Sequence, residues 1–424
     1  MVCNYYLPKL DTMTKILIIG YVWPEPNSSA AGSRMMQLIE CFRSQQWDIT
    51  FASPAAESEH RYPFESLGVK KANIKVNSHC FDDFITTLSP DIVLFDRFLM
   101  EEQFGWRVEK VCPQALRLIE TVDLHCLREA RHTALKKNIP FKKQDLFNEI
   151  AKREIASILR CDLSLMISSI EMEYLTTVFK VDTSLLLHLP FMLKRIDDSY
   201  KDDIPSYLQR TNFISIGNFR HMPNWDAVLY LKESIWPLIH KKLPQAQMHI
   251  YGAYPPPKAN QLHNEKQNFY ILGWAKKVEE VMKSSRVCLA PLRFGAGLKG
   301  KLLDAMQFGT PSVTTDIGAE GMHNELNWNG TIANTPKDIA DAAVELYNDS
   351  THWETSQENG YTLINSLYDN DIHSQTLLNR IDNIHNNLEE HRLNNFTGSM
   401  LRHHTMKSTQ YMAQWIEAKT RNSM

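Results

Sequence analysis

Short apolar runs alternate along the chain with segments of helical period. Lys15–Gly20 (KILIIG) is an apolar run ending in glycine, with the length of a buried strand. After a loop holding Pro24, Pro26 and Asn27, residues 30–46 place Met35, Leu38, Ile39 and Phe42 on one helical face. Further strands are expected at 48–54, 90–96, 115–121 and 161–168, the last running into a helix that opens SIEMEYL. Strands alternating with helices predict a parallel sheet covered on both faces.

The pattern breaks after residue 192. Residues 193–210 are polar and charged without a strong period, which reads as a linker. The alternation then restarts. Strands are expected at 212–219, 246–252, 268–273, 286–292 and 311–315, and helices at 224–244, 276–285 and 301–309. From Pro336 the chain reads as helical. The expected fold class is α/β, with two Rossmann-like parallel-sheet domains facing across a cleft and helices at the C-terminus. The boundaries are 1–195 for an acceptor-side domain, 196–210 for the linker, 211–370 for a donor domain and 371–424 for helices returning to the first domain. Ligands of open α/β sheets sit beyond the strands' carboxyl ends, so the cleft is the expected site.

Composition narrows the function classes. The chain has 424 residues, room for two or three domains of roughly 100–200 residues. A formal net charge of -3 excludes nucleic-acid binding by bulk charge. Seven cysteines stand singly, with no CxxC and no zinc spacing, as in a reducing compartment. No run approaches the ~18 apolar residues of a membrane span. The opening stretch, with ILIIG as its apolar core, lacks the cleavage site of a secretory leader, so the expected home is the cytoplasm. The sequons at Asn27, Asn329, Asn348 and Asn395 are then chance.

The most informative stretch is PLRFGAGLKGKLLDAMQFGTPSVTT, Pro291 to Thr315. Gly295, Gly297 and Gly300 spell GxGxxG, but several strands into the domain rather than at its first turn. Gly295 to Lys301 spell GxxxxGK, but Leu302 stands where a P-loop needs Ser or Thr for magnesium. What remains is local physics. A glycine loop lets backbone N–H groups approach an anion, and the following helix points its positive end there. Lys299 and Lys301 at a helix start oppose the helix dipole by roughly 0.3–1 kcal/mol each. Either a polyanion sits on them, or both are solvated and tolerated. Asp304, three residues after Lys301, faces the same side. It suits a diol such as ribose, or a surface pair with Lys301.

These residues resemble the donor segment of retaining family-4 (group 1) glycosyltransferases with the GT-B fold: CLAPLRFGAGLKGKLLDAMQFGTPSVTTDIGAEGM is similar to their strand, Gly-rich turn, Lys-x-x-Glu-Ala and Gly-x-Pro-Val. FISIGNFRHMPNWDAVLYL, PQAQMHIYGAYPP and NFYILGW resemble the opening elements of the same domain. KILIIGYVWPEPNSSAAGSRMMQLIECFRSQQWDITFAS and CDLSLMISSIEMEYL resemble parts of the first domain. The likeness runs from about Lys15 to Tyr361.

The resemblance implies a glycosyltransferase acting with retention on a nucleotide-diphosphate sugar of UDP or GDP type, without a metal or other cofactor. Gly295 and Gly297 leave room for the diphosphate, Lys301 and Lys299 neutralise it, and Asp304 holds the ribose. His125 lies where the family sets a histidine against the donor sugar, and Gly32 faces the diphosphate from the first domain. Arg220 is the cation placed to serve after the second domain's opening strand. One departure stands out. Ala296 occupies the position of the family's first acid, usually near the transferred sugar. The implied acceptor is a saccharide, a lipid-linked molecule or a small molecule, as in polysaccharide biosynthesis, with no nucleic acid.

Other features have two readings each. Arg34 adjoins the first glycine loop. Asp96–Trp106 lines the acceptor side or begins a helix with buried aromatics. Glu320 approaches the donor or makes a turn. Asp369-Asn370-Asp371 has the letters of a metal-binding DxD, or is a helix cap. The basic amphipathic tail lies on a membrane surface, at its inner face, or packs back on the first domain. Two rivals remain for the function: a scaffold that binds without transferring, motivated by Ala296, and an epimerase on the same fold, which needs an acid/base pair among Glu101, Glu102, Asp123 and Glu320.

Overall fold

The computed structural model describes residues 13–421; residues 1–12 of the opening stretch weighed as a leader, Cys3 among them, lie outside the described residues. The first sheet holds β1 (Lys15–Ile19), β2 (Asp48–Ser53), β3 (Lys70–Asn73), β4 (Ile92–Asp96), β5 (Leu116–Glu120), β6 (Leu163–Met166) and β7 (Leu186–His188). Its order is β3-β2-β1-β4-β5-β6-β7, every pair parallel. The second holds β8 (Thr211–Ile216), β9 (Met248–Tyr251), β10 (Phe269–Gly273), β11 (Ser285–Ala290), β12 (Ser312–Thr314) and β13 (Gly330–Ile332). Its order is β10-β9-β8-β11-β12-β13, again parallel.

The apolar runs become central strands because both their faces are covered. On β1, Ile16 and Ile18 enter one core while Leu17 and Ile19 enter the other, as the two-residue period requires. Met35, Leu38, Ile39 and Phe42 of the helix Ala30–Ser44 fill the first of these cores. So do Leu377, Leu378, Ile381 and Ile384 from the helix Asn370–Asn386, far along the chain.

The chain therefore crosses between domains twice, and the crossings are tied together. The Leu193 N–H donates to the Tyr368 carbonyl at 2.7 Å, and the Asn370 N–H to the Leu193 carbonyl at 2.8 Å. Asp369 caps the helix that follows, accepting from the Asp371 N–H at 2.9 Å and from Arg195 at 2.9 Å. The DxD letters are thus a cap and an ion pair. The last helix, Phe396–Arg421, lies against the helices Phe98–Val111 and Glu149–Arg160 of the first domain. Arg107 pairs with Glu417, and just before that helix Arg392 pairs with Asp162 at 2.8 Å. Helix Phe98–Val111 also settles the Asp96–Trp106 stretch as mainly helical, with Phe104 and Trp106 buried.

The long helix expected at 224–244 is interrupted. Regular turns span Met222–Tyr230 and Trp236–Lys242, with a wider π turn at Leu231–Ile235 between them. Pro237 has no N–H for the carbonyl four residues back, so the ladder shifts by one residue there.

Candidate functional site

The strand order reverses between β1 and β4 in one sheet and between β8 and β11 in the other. Both reversals open onto a single cleft of about 1070 Å³ between the domains. This is where a doubly wound sheet binds ligands, here doubled face to face.

The donor-side wall is built by the loop between β11 and the helix Gly300–Gln307. Lys299 is that helix's N-cap and Lys301 lies in its first turn. Both line the cleft. Burial holds both ammonium groups down at about 8. Lys301 donates to Asn224 Oδ1 at 2.8 Å. Lys299 folds back to the carbonyls of Ala296, at 3.2 Å, and Gly297, at 2.5 Å. Asp304 lines the same wall, and burial pushes its carboxyl up to about 7 against the pull of Lys301. Lys299 is buried and Lys301 and Asp304 are half-buried in the cleft wall, which favours the ligand readings of all three over the surface-pair and solvated ones.

Gly295 and Ala296 line the cleft, and Gly297 does not. The Gly297 N–H is already given to Glu171 Oε1 of the first domain, at 2.7 Å. Its φ is 63°, and a Cβ there would come within 2.9 Å of the Val122 carbonyl oxygen and of Asp123 Cβ. Glycine is needed at 297 because the other domain's backbone passes there, which corrects the expectation that it clears space for a diphosphate. Ala296 is buried with Leu124, Cys126 and Leu127.

The opposite wall comes from the first domain. Gly32 lines it, its N–H donating to the N-cap Ser29 Oγ at 3.1 Å, and a Cβ there would meet the Glu25 backbone at 2.4 Å. The helix Ala30–Ser44 starts here, with Ala30 against Gly300 of the second domain. His125 opens another helix, His125–Lys136, and faces Asp123 Oδ1 at 3.4 Å and the edge of Phe98. Burial lowers the His125 imidazole to about 4. Arg220 lines the cleft with its guanidinium 3.6 Å from the Tyr254 ring centre.

Four residues weighed in the sequence turn out to hold the fold. Arg34 is fully buried away from the cleft, donating to the Leu189 carbonyl at 2.7 Å, to Pro190, and to Glu120 at 3.4 Å. Glu320 is clamped by Arg131 of the first domain at 2.6 and 2.7 Å, and Arg131 also donates to the Gly295 carbonyl at 2.9 Å. Glu101 is buried against Arg160, and Glu102 pairs with Arg153. Of the four acids among which an epimerase would find its acid/base pair, only Asp123 lines the cleft.

Sequence reasoning missed His221, Asn224 and Trp274, which line the cleft, and Glu171 behind it. His221 follows Arg220 just past the end of β8, and strand-end position was its one available signal. Trp274 donates to the Asn27 carbonyl at 2.8 Å and Tyr254 to Glu25 at 2.9 Å, so both domains close the mouth.

Residues 210–349 match the family model described as glycosyl transferases group 1. No curated protein matches the chain by sequence. Among solved structures, HepE of Anabaena in complex with UDP and glucose is 10% identical over 87% of this chain and 100% of its own, with a TM-score of 0.64. Sucrose-phosphate synthase of Thermosynechococcus elongatus is 14% identical over 88% and 99%, with a TM-score of 0.63. A mutant of S. aureus TarM, in complex with Fondaparinux, alpha-GlcNAc-glycerol and UDP, is 16% identical over 70% of this chain, with a TM-score of 0.55; the chain spans 57% of that protein's length. Among the described residues no helix is long and apolar enough to cross a membrane. With a group 1 glycosyl transferase domain matched at residues 210–349 and two parallel-sheet domains facing across a cleft, the chain has the fold of these glycosyltransferase structures.

Proposed function

We propose that the protein transfers a sugar from a nucleotide-diphosphate donor to an acceptor hydroxyl with retention and without a metal ion. The observation that carries this is the placement of Lys301 and Asp304 together, half-buried, on one helical turn at the cleft wall. Lysine toward diphosphate and carboxylate toward ribose is what a nucleoside diphosphate requires. As the bond from the anomeric carbon to the diphosphate oxygen breaks, the electron pair stays on the diphosphate. Lys301, Lys299 and the N–H groups opening the helices Gly300–Gln307 and Ala30–Ser44 stabilise that charge. The acceptor oxygen attacks from the face the diphosphate leaves, and its proton passes to the departing phosphate oxygen. No enzyme nucleophile is then needed. His125, Gly32, Gly295 and Arg220 shape the donor's surroundings.

A UDP-type donor is favoured by the neighbours of the same fold solved with UDP. The acceptor is a saccharide, lipid-linked or small molecule. The exposed Tyr411, Met412 and Trp415 on a basic helix support contact with a membrane face.

The test is calorimetric titration with UDP, GDP, ADP and their sugar conjugates, in EDTA. Binding of one series, with an affinity that EDTA leaves unchanged, is expected, followed by turnover whose product keeps the donor's anomeric configuration by NMR. A folded protein that binds none of them overturns the transferase reading in favour of a scaffold. Binding that EDTA abolishes overturns metal independence alone.

A further inference from the structure

Asp123 lines the cleft but has no part in holding the diphosphate. The local chain goes to some length to present it. β5 ends at Glu120, whose Oε1 accepts the Val122 N–H at 3.2 Å. Val122 takes a φ of 61°, a left-handed conformation that a β-branched residue avoids unless its surroundings impose it. The next helix start is then fixed by remote carboxylates. Glu171 accepts from Leu124 N–H at 3.0 Å, and Glu154 from His125 and Cys126 N–H at 2.9 and 3.0 Å. A strained turn held on both sides has one evident product, the position of the Asp123 carboxylate.

Asp123 packs directly against the donor loop. Its backbone and Cβ are what exclude a side chain from position 297, and it acts electrostatically on Lys299. Arg128 pairs with Oδ2 and His125 lies at 3.4 Å from Oδ1. His221, from the second domain, lines the other wall. An ionised carboxylate has about four lone-pair positions, and these neighbours occupy about half of them.

We infer that Asp123 holds hydroxyl groups of the transferred sugar. The inference rests on the donor-site reading above. Its neighbourhood with the diphosphate lysines favours the donor's sugar over the acceptor. Its charge state favours a holding role over a proton-transfer one. Burial opposes ionisation, but the Arg128 guanidinium outweighs it and keeps the carboxyl below the ordinary range. So weak a base takes no proton from an alcohol at neutral pH, but it accepts hydrogen bonds from sugar hydroxyls well.

The experiment compares Asp123→Asn with the wild type for UDP and UDP-glucose, and for GDP and GDP-mannose, by calorimetry. The expected result is a loss of affinity for the sugar conjugate of about tenfold to hundredfold, with affinity for the diphosphate unchanged. Asp123→Glu, which keeps the charge, retains part of the difference. If Asp123→Asn fails to fold because Arg128 loses its partner, the double variant Asp123→Asn/Arg128→Gln removes both charges and is measured in the same way. Equal losses for diphosphate and conjugate, or a change in acceptor KM alone, overturn the inference. Failure of the wild type to bind any diphosphate overturns the donor site itself, and the inference falls with it.

Discussion

Lys301→Met loses roughly 100- to 1000-fold in kcat and binds nucleoside diphosphate far more weakly, while melting no lower than the wild type. The functional loss is the usual scale for removing one preorganised donor from a developing oxyanion. Of the three Nζ donors, Asn224 takes one, leaving two directed at whatever enters the cleft. The stability expectation has the opposite sign because burial disfavours the ammonium in the empty protein. Methionine fills the same volume without a charge to desolvate. Thermal melting beside a diphosphate titration separates the two effects. Lost binding together with a much lower melting temperature would make Lys301 a structural lysine.

The same burial gives a pH signature. Lys301 sits at about 8 in the empty site, and a bound diphosphate favours its charged form. Affinity for the sugar conjugate is therefore full below about 8 and falls as pH rises through it, with proton uptake on binding. Below about 7 Asp304 protonates and loses acceptor capacity, which adds an acid limb. Titrations in buffers of different ionisation enthalpy count the protons, and no uptake at pH 8.5 would remove Lys301 from the diphosphate.

What could be read from the sequence was what the physics decides locally. The central strands are apolar on both faces, so β1, β4, β5 and β11 stand out as short runs. β3 is Lys-Lys-Ala-Asn on a sheet edge, where one neighbour suffices and apolarity is not required. β13, three residues on the other edge, is equally silent. The donor loop was legible because its glycines, lysines and Asp304 fall within ten residues. Gly297 was legible as a constrained glycine but not for its reason, which is the backbone of Val122 and Asp123 in the other domain. Glu320 and Arg131 stand 189 residues apart, and nothing local announces their pairing. His221 and Asp123 come from different domains, and nothing local announces that they line the same cleft. Arg34 misled because proximity in sequence to a glycine loop says nothing about which side of a helix faces the cleft.

Arg34→Met is the substitution with the largest expected cost to the fold. Arg34 and Glu120 are both fully buried, and the guanidinium also satisfies the carbonyls of Leu189 and Pro190. Removing one partner of a buried pair leaves an uncompensated charge, which costs about 3–5 kcal/mol. For a domain of this size that lowers the melting temperature by about 10 °C. Burial already raises the Glu120 carboxyl, with Arg34 pulling it down, so the variant raises it further. A carboxyl raised in the folded state leaves stability intact below its unfolded value of about 4.3 and removes it as pH climbs toward the folded value. The gap between wild type and Arg34→Met is therefore small near pH 4.5 and wide at 7.5. A gap independent of pH would assign the loss to the two carbonyls rather than to Glu120. Because Glu120 also accepts the Val122 N–H, the folded remainder of this variant should lose affinity for the sugar conjugate as well, through the turn that presents Asp123.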